Sequence, residues 1–366
     1  MRLQHRFEAL RRDAQDDGWD DEPAGAEAAR IPTEVTFETA RSIVTRNTSP
    51  DIPFTLSLNP YRGCEHGCIY CYARPTHAYL DLSPGLDFET RIVAKRNAAE
   101  LLRRELARPG HVVSPIAIGT VTDAYQPVER RLRITRDVID VLVSCGHPFL
   151  VITKSSGIER DLDLLAPAAA AGLCRITLTV TTLDPALARI LEPRAASPLR
   201  RLQTIRRLPD AGVPVHVNVA PIIPFINDGE IERIVAMAAE AGAEAAHHTV
   251  VRLPREVAEL FRQWLQTHFP DRAERVLARI RELHGIASHP PSGRHDDTAP
   301  VYRATFGQRM RGTGPWADLI RQRVERASRL AGMTDRPAGD LVADRFVPPA
   351  ASPAVRIEDP RQGRLF

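Results

Sequence analysis

Five cysteines in 366 residues are too few for a secreted disulfide framework, and three of them crowd into one stretch of eight residues. Reduced thiols, which a metal site needs, are therefore expected. No apolar run reaches the roughly 18 residues of a membrane span, and the opening MRLQHRFEALRRDAQDDGWDDEPAG lacks the apolar segment of a signal peptide. The chain reads as cytoplasmic, with no membrane partner. A formal net charge of only +3 excludes a broadly basic nucleic-acid coat, and the absence of internal repeats excludes solenoids and propellers.

What is present is alternation. Apolar strand-like runs at PIAIGTVT (115–122), FLVITKS (149–155), CRITLTVTT (174–182), VPVHVNVAPII (213–223) and AAHHTVVRL (245–253) follow a weaker one at FTLSLN (54–59). Amphipathic stretches at 97–106, 133–144, 161–172, 197–212 and 229–242 lie between them, three ending just before a Gly that leads into the next strand. Six strands, each followed by helical sequence, predict an α/β fold with a parallel sheet, either curled into a barrel or doubly wound. The expected organisation is a mobile arm over 1–45, the strand-rich domain over 46–255, a helical C-terminal extension over 256–333 and a disordered tail over 334–366. In such folds ligands bind at the carboxyl ends of the strands. Thr122, Asp123, Lys154, Thr179, Asn218 and Arg252 all fall there, and the cysteine cluster follows the first strand.

The stretch YRGCEHGCIYCYARP sets Cys64, Cys68 and Cys71 in a Cys-x3-Cys-x2-Cys run. A zinc knuckle completed by His66 or His77 is one reading, although zinc loops usually pair two close ligands with two distant ones and no second pair is evident. Thiol redox catalysis is another. The third is a [4Fe–4S] cluster on three cysteines, whose fourth iron is left for a chelating cofactor. Cys145 and Cys174 stand alone and read as small buried hydrophobes.

With Tyr70 just before its last cysteine, this run resembles the signature of the radical S-adenosylmethionine (SAM) superfamily. Its fold is a full or partial (β/α) TIM-type barrel, commonly six-stranded. The resemblance implies a [4Fe–4S] cluster on Cys64, Cys68 and Cys71, SAM chelated to the unique iron, and reductive cleavage to a 5′-deoxyadenosyl radical that abstracts hydrogen from a substrate. A reducing electron donor, flavodoxin- or ferredoxin-like, is implied with it. Within the superfamily, NPYRGCEHGCIYCYARPTHAY, GTVTDAYQPVE, ITKS, LTVTTLD, LEPRAASP and RMRGTGPWADL are similar to the spore photoproduct lyase-like group, also described as DNA repair photolyase-like. By that likeness Thr122 helps hold SAM, Lys154 meets its carboxylate, Thr179 lies near the ribose, and Ala220 and Tyr70 lie near the adenine. One departure concerns the reaction. Spore photoproduct lyases carry a hydrogen-donating cysteine just before the Thr122 equivalent, where this chain has Thr120 or Val121. Thymine-dimer reversal by that route is therefore not expected.

Other residues carry two readings each. Asp123, Gln126 and Glu129 either contact SAM or substrate or cap the next helix; Glu192 and Arg194 either bond the ribose hydroxyls or form a supporting ion pair. Of His247 and His248, consecutive in a strand, at most one faces the interior. HGIASHPPSGRHDD reads as a polar insertion. FGQRMRGTGPW, with Arg309 and Arg311 before Gly312 and Gly314, is either a phosphate cradle or a tight connection. The final QGRLF places Gln362, Leu365 and Phe366 in a Gln-x-x-Leu-Phe pattern resembling the peptide by which bacterial DNA enzymes dock on the sliding clamp. Three functions remain open: a radical SAM enzyme acting on DNA or a nucleotide-derived lesion, one acting on a peptide, tRNA or small molecule, and a non-catalytic iron–sulfur scaffold at replication complexes.

Overall fold

The structure, a computed structural model, describes residues 17–18, 32–287, 300–333 and 341–350. Its strands are β1 (Glu34–Glu38), β2 (Val44–Arg46), β3 (Leu56–Leu58), β4 (Tyr61–Arg62), β5 (Arg91–Lys95), β6 (Ile116–Ile118), β7 (Phe149–Thr153), β8 (Cys174–Thr179), β9 (Val215–Ile222) and β10 (Ala245–Val250). Strands β3, β6, β7, β8, β9 and β10 run parallel in sequence order, with β2 antiparallel on the outer edge beside β3. The crossovers carry the helices Ile134–Ser144, Leu162–Ala170, Pro198–Asp210 and Ile231–Glu240. The parallel sheet is what the alternation predicts, and of the two architectures left open this is the partial (β/α)6 barrel that the resemblance implies.

Alternation along each strand divides the sheet's two faces chemically. Ile116, Ile118, Phe149, Val151, Ile176, Leu178, Val215 and Val217 join the main apolar core against the helices. The intervening residues, among them Ser57, Arg175, Thr177, Thr179, His216 and Asn218, share the other face, where Thr177 registers with His216 and Thr179 with Asn218. A polar concave face is what a ligand-filled barrel needs, and the strand sequences encode it directly.

Some elements differ from expectation. β6 stops at Ile118, not at residue 122, because the next backbone groups leave the ladder: the Asn59 side chain accepts from Val121 N at 2.9 Å and donates to Thr120 Oγ1 at 3.2 Å. The arm expected over 1–45 contains two strands, β1 pairing with β5 and β2 with β3. Both are short and their partners lie well downstream, so local periodicity does not reveal them. The expected tail is also docked in part. Val342 N donates to Gly172 O at 2.9 Å and Val347 N to Cys145 O at 2.8 Å, laying residues 341–350 along the loops that feed the amino ends of β7 and β8. Gly146 has φ +62°, and a Cβ there would meet Arg345 O at 2.3 Å, so the close approach of this strap requires glycine.

The C-terminal extension contributes the helices Glu256–His268, Ala273–Leu283 and Gly314–Leu330. Phe261, Trp264, Leu265, Val276, Leu277 and Ile280 form a second apolar cluster that includes Cys68, Tyr70 and Leu191. The extension therefore seats the cysteine loop against the barrel. No helix among the described residues is long and apolar enough to cross a membrane.

Candidate functional site at the barrel mouth

The three clustered cysteines are free; Cys64 and Cys68 are buried and Cys71 half-buried. Their loop has no regular backbone ladder, so side chains hold it. Arg74, buried, donates from Nε to Cys68 O (3.0 Å) and from Nη2 to Gly67 O (2.9 Å), while Nη1 reaches Gly85 O (2.7 Å) and Nη2 meets Glu89 at 3.2 Å. Gly67 turns at φ +67°, and a Cβ there would fall 2.2 Å from Glu89 Oε2. One guanidinium thus satisfies the carbonyls that the tight loop leaves unpaired.

Asp123 ties this loop to the strand ends. Its carboxylate accepts from Thr153 Oγ1 at 2.7 Å, Lys154 N at 2.8 Å and Tyr125 N at 2.9 Å, and pairs with His66 Nδ1 at 3.4 Å. Burial opposes its charge, but the His66 pairing and these hydrogen bonds outweigh burial and hold its pKa below the ordinary carboxylate range. Asp123 is therefore a bracket with protein partners. Gln126 and Glu129 act alike: Gln126 bonds Gly63 O and Glu65 N, and Glu129 receives Tyr61, Thr135 and Arg160.

Lys154 follows β7 and stands over Tyr70, its Nζ 5.9 Å from the ring centroid, with no hydrogen-bonded partner among the described residues. Burial disfavours its charge, yet Cys68 and Glu192 raise its pKa, so an ammonium is held at the mouth. Glu192 receives Tyr70, Thr181 and Arg201, all buried. Burial pushes its pKa up while Arg201 and Lys154 pull it to about 2. Glu192 is thus engaged in an ion pair that fixes Tyr70. Arg194 lies apart, donating to Glu89 O at 2.6 Å and pairing with the Glu89 carboxylate at 3.6 Å behind Gly67. Each residue thus forms an ion pair, Glu192 with Arg201 and Arg194 with Glu89.

Thr122, buried, donates to Tyr61 O at 3.3 Å, which places it directly under the cysteine loop. Thr179 and Ala220 stand on β8 and β9, and Ala220 O accepts from Thr181 Oγ1 at 2.9 Å. His247 registers with Asn218 and its Nε2 lies 2.9 Å from His216 Nδ1, whereas His248 points to the other face, where burial and Arg311 lower its pKa to about 4. The phosphate cradle expected at Arg309 is not formed: that guanidinium binds Asp51 and Ser49, closing a tight connection. Most of HGIASHPPSGRHDD, and Gln362, Leu365 and Phe366, lie outside the described residues.

These surroundings discriminate among the metal readings. His77 Nε2 donates to Arg91 O at 3.0 Å and His66 Nδ1 pairs with Asp123 at 3.4 Å, which leaves one ring nitrogen of each outside these contacts. Among the described residues no three His, Cys, Asp or Glu side chains gather as around a single ion, whose ligands at about 2.3 Å must crowd together. Burial pushes the Cys68 thiol up to about 12 and Cys64 well above its ordinary value, with the neighbouring thiols adding to it. Buried thiols this close deprotonate when a cationic group displaces their protons, which an iron–sulfur cluster does. The donor set fits that group.

A parallel partial barrel with a three-thiol loop and a lysine at its mouth is the frame of a cofactor-dependent enzyme. Residues 58–238 match the radical SAM superfamily. An uncharacterised protein of Mycobacterium tuberculosis is 38% identical over 71% of this chain and 73% of its own length, and one of Methanocaldococcus jannaschii is 24% identical over 59% and 77%. Among solved structures, a spore photoproduct lyase variant superposes with a TM-score of 0.55 at 14% identity, covering 82% of this chain and 80% of that one. Another, with dinucleoside spore photoproduct, covers 83% and 85% at the same score and identity. The chain belongs to the radical SAM superfamily, whose cofactors are a [4Fe–4S] cluster and SAM.

Residues that sequence reasoning missed are Arg74, Glu89, Asn59 and Arg201, and His66 enters it only as a zinc ligand. Their roles rest on side-chain contacts within and between loops, for which hydrophobic period and motif spacing give no signal.

Proposed function

We propose that this protein binds a [4Fe–4S] cluster through Cys64, Cys68 and Cys71, takes SAM beside Lys154, and acts on DNA or a nucleotide-derived lesion. The observation that carries the reading is the conjunction of three reduced thiols in one braced loop with an ammonium that lacks a hydrogen-bonded partner among the described residues. The chemistry these groups supply when bound is reductive cleavage of SAM to a radical able to take hydrogen from a substrate. The chain's own part is placement. Lys154 Nζ offers a cation to the SAM carboxylate, Tyr70, locked by Glu192, offers its ring, and Thr179 and Ala220 line the concave face. Asp123, through Thr153 and Lys154 N, fixes that lysine relative to the cysteine loop.

The nucleic-acid substrate is supported by the shared fold with proteins solved alongside dinucleoside spore photoproduct. Thymine-dimer reversal itself is disfavoured. Cys145 caps the carboxyl end of helix Ile134–Ser144 and Cys174 opens β8, so both sit at the end of the barrel opposite the mouth. A modification or a different repair step, driven by a flavodoxin- or ferredoxin-like donor in the cytoplasm, is the reading that remains.

Anaerobic reconstitution tests it. The wild-type protein should be brown and release 5′-deoxyadenosine, and Cys64→Ala, Cys68→Ala and Cys71→Ala should each lose both by at least about a hundredfold, with Cys145→Ala retaining them. An intact, active cluster in any of the first three variants overturns the proposal. Deuterium passing from labelled DNA into 5′-deoxyadenosine would identify the substrate class.

A further inference from the structure

Tyr72 follows Cys71 directly and Arg252 lies two residues beyond β10, so two distant segments meet at the mouth. The Arg252 guanidinium carbon stands 3.8 Å from the Tyr72 ring centroid, and the Tyr72 hydroxyl donates to Thr120 O, pinning the ring across the opening. Although its hydroxyl is tied down, 42% of the Tyr72 surface is open to solvent.

Arg252 differs from the other arginines around it. Arg74, Arg194, Arg201 and Arg309 each meet a carboxylate. Arg252 is half-buried and meets none among the described residues; its partner is the face of Tyr72. The other groups near it are Tyr302 and His284, whose pKa values it shifts, and His284 Nε2 is turned away onto Val251 O at 2.8 Å. Asp51, a carboxylate near Tyr302, is already bound by Arg309, Ser49 and Gly307 N. A guanidinium partly withdrawn from water without an anion carries an uncompensated desolvation cost, which an anionic ligand would relieve. The guanidinium contacts the Tyr72 ring and its phenol oxygen, and the N–H groups not spent on that oxygen are left to meet an anion such as phosphate.

We infer that Tyr72 and Arg252 form a nucleotide-holding pair, receiving one unit of a single-stranded nucleic acid with a base against the tyrosine and its phosphate on the arginine. A solitary carboxylate ligand would use the arginine alone; an exposed aromatic beside a cation is the combination that single strands engage. The inference rests on the mouth being the substrate side of the radical enzyme, since it places the held nucleotide next to Cys71.

The test is fluorescence-anisotropy binding of a labelled single-stranded oligonucleotide to the reconstituted protein across a salt series. Arg252→Gln should weaken binding about tenfold and reduce the steepness of log K against log salt by about 0.7, one phosphate contact. Tyr72→Leu should weaken it roughly five- to a hundredfold with the salt slope unchanged. Arg252→Lys, which keeps the charge, should hold the slope. If the Gln variant does not fold, Arg252→Met, which keeps the apolar stem without the charge, gives the same reading, a slope lower by about 0.7. Affinity and slope unchanged in both Arg252→Gln and Tyr72→Leu, or tighter binding of an acidic peptide than of the oligonucleotide, would overturn the inference. Wild-type protein that cleaves SAM yet binds no oligonucleotide overturns it while leaving the cofactor reading intact. Oligonucleotide binding by a protein that cannot cleave SAM does the reverse.

Discussion

Asp123 shows how a single side chain organises this mouth. Four donors from three segments converge on one buried carboxylate: Thr153 Oγ1, Lys154 N, Tyr125 N and the His66 ring. An amide at this position turns an N–H₂ toward donors, leaving at least one of them unsatisfied at about 1–3 kcal/mol each. Asp123→Asn is therefore expected to lose about 2–4 kcal/mol in urea unfolding, against roughly 1 kcal/mol for Thr153→Val, which removes a single bond. Equal small losses would refute the bracket role. The sequence singles out Asp123 correctly as a residue of the mouth but leaves its role divided between ligand contact and backbone support. What decides it is the position of His66 and Thr153, which no local pattern encodes. Glu192 is the same case: its partner Arg201 sits nine residues on, inside an amphipathic helix that reads as ordinary.

At the scale of elements, the central strands and their crossover helices are legible because each is long enough to show its own period. The strap over residues 341–350 is not, since it has no periodicity and draws its order from what it touches. Phe346 stacks against both His111 and His147, at 5.3 and 5.2 Å between centroids, and the two histidines approach at 3.0 Å through their Nε2 atoms. Burial lowers the His147 pKa to about 4, with Pro148 O favouring the proton on Nδ1 and His111 opposing a second. Arg46, beside His111, adds to the repulsion. A histidine whose folded pKa lies below its unfolded value near 6.5 contributes stability that is fully present above 6.5. That contribution is lost as pH falls toward 4, because the unfolded chain takes up the proton first. The unfolding free energy of the wild-type protein, measured in urea, should fall across this window by about 1–3 kcal/mol more than that of His147→Gln. Parallel pH profiles for the two proteins would contradict the account.

For the whole molecule, the strap fixes a geometry relevant to partners. Residues 341–350 lie at the amino ends of the strands, on the face opposite the cysteine loop, and Gln362, Leu365 and Phe366 follow them in the chain. Docking on a sliding clamp through these three residues is a proposal whose test is a pulldown. Wild-type protein should retain the clamp and Phe366→Ala should lose at least about nine-tenths of it; equal retention, or none by either protein, sinks the idea.

The sequence by itself determined the parallel α/β alternation, the three-cysteine run and the polar residues at the strand ends, because each is written in local period or spacing. Only the tertiary structure decided how those parts are held. Asp123 between loop and lysine and Arg252 over Tyr72 join segments remote in the chain, while Arg74 under the cysteine loop and Arg201 against Glu192 join positions brought together by the fold of the intervening loop. Their energies depend on burial and partner geometry, which no stretch of sequence carries alone.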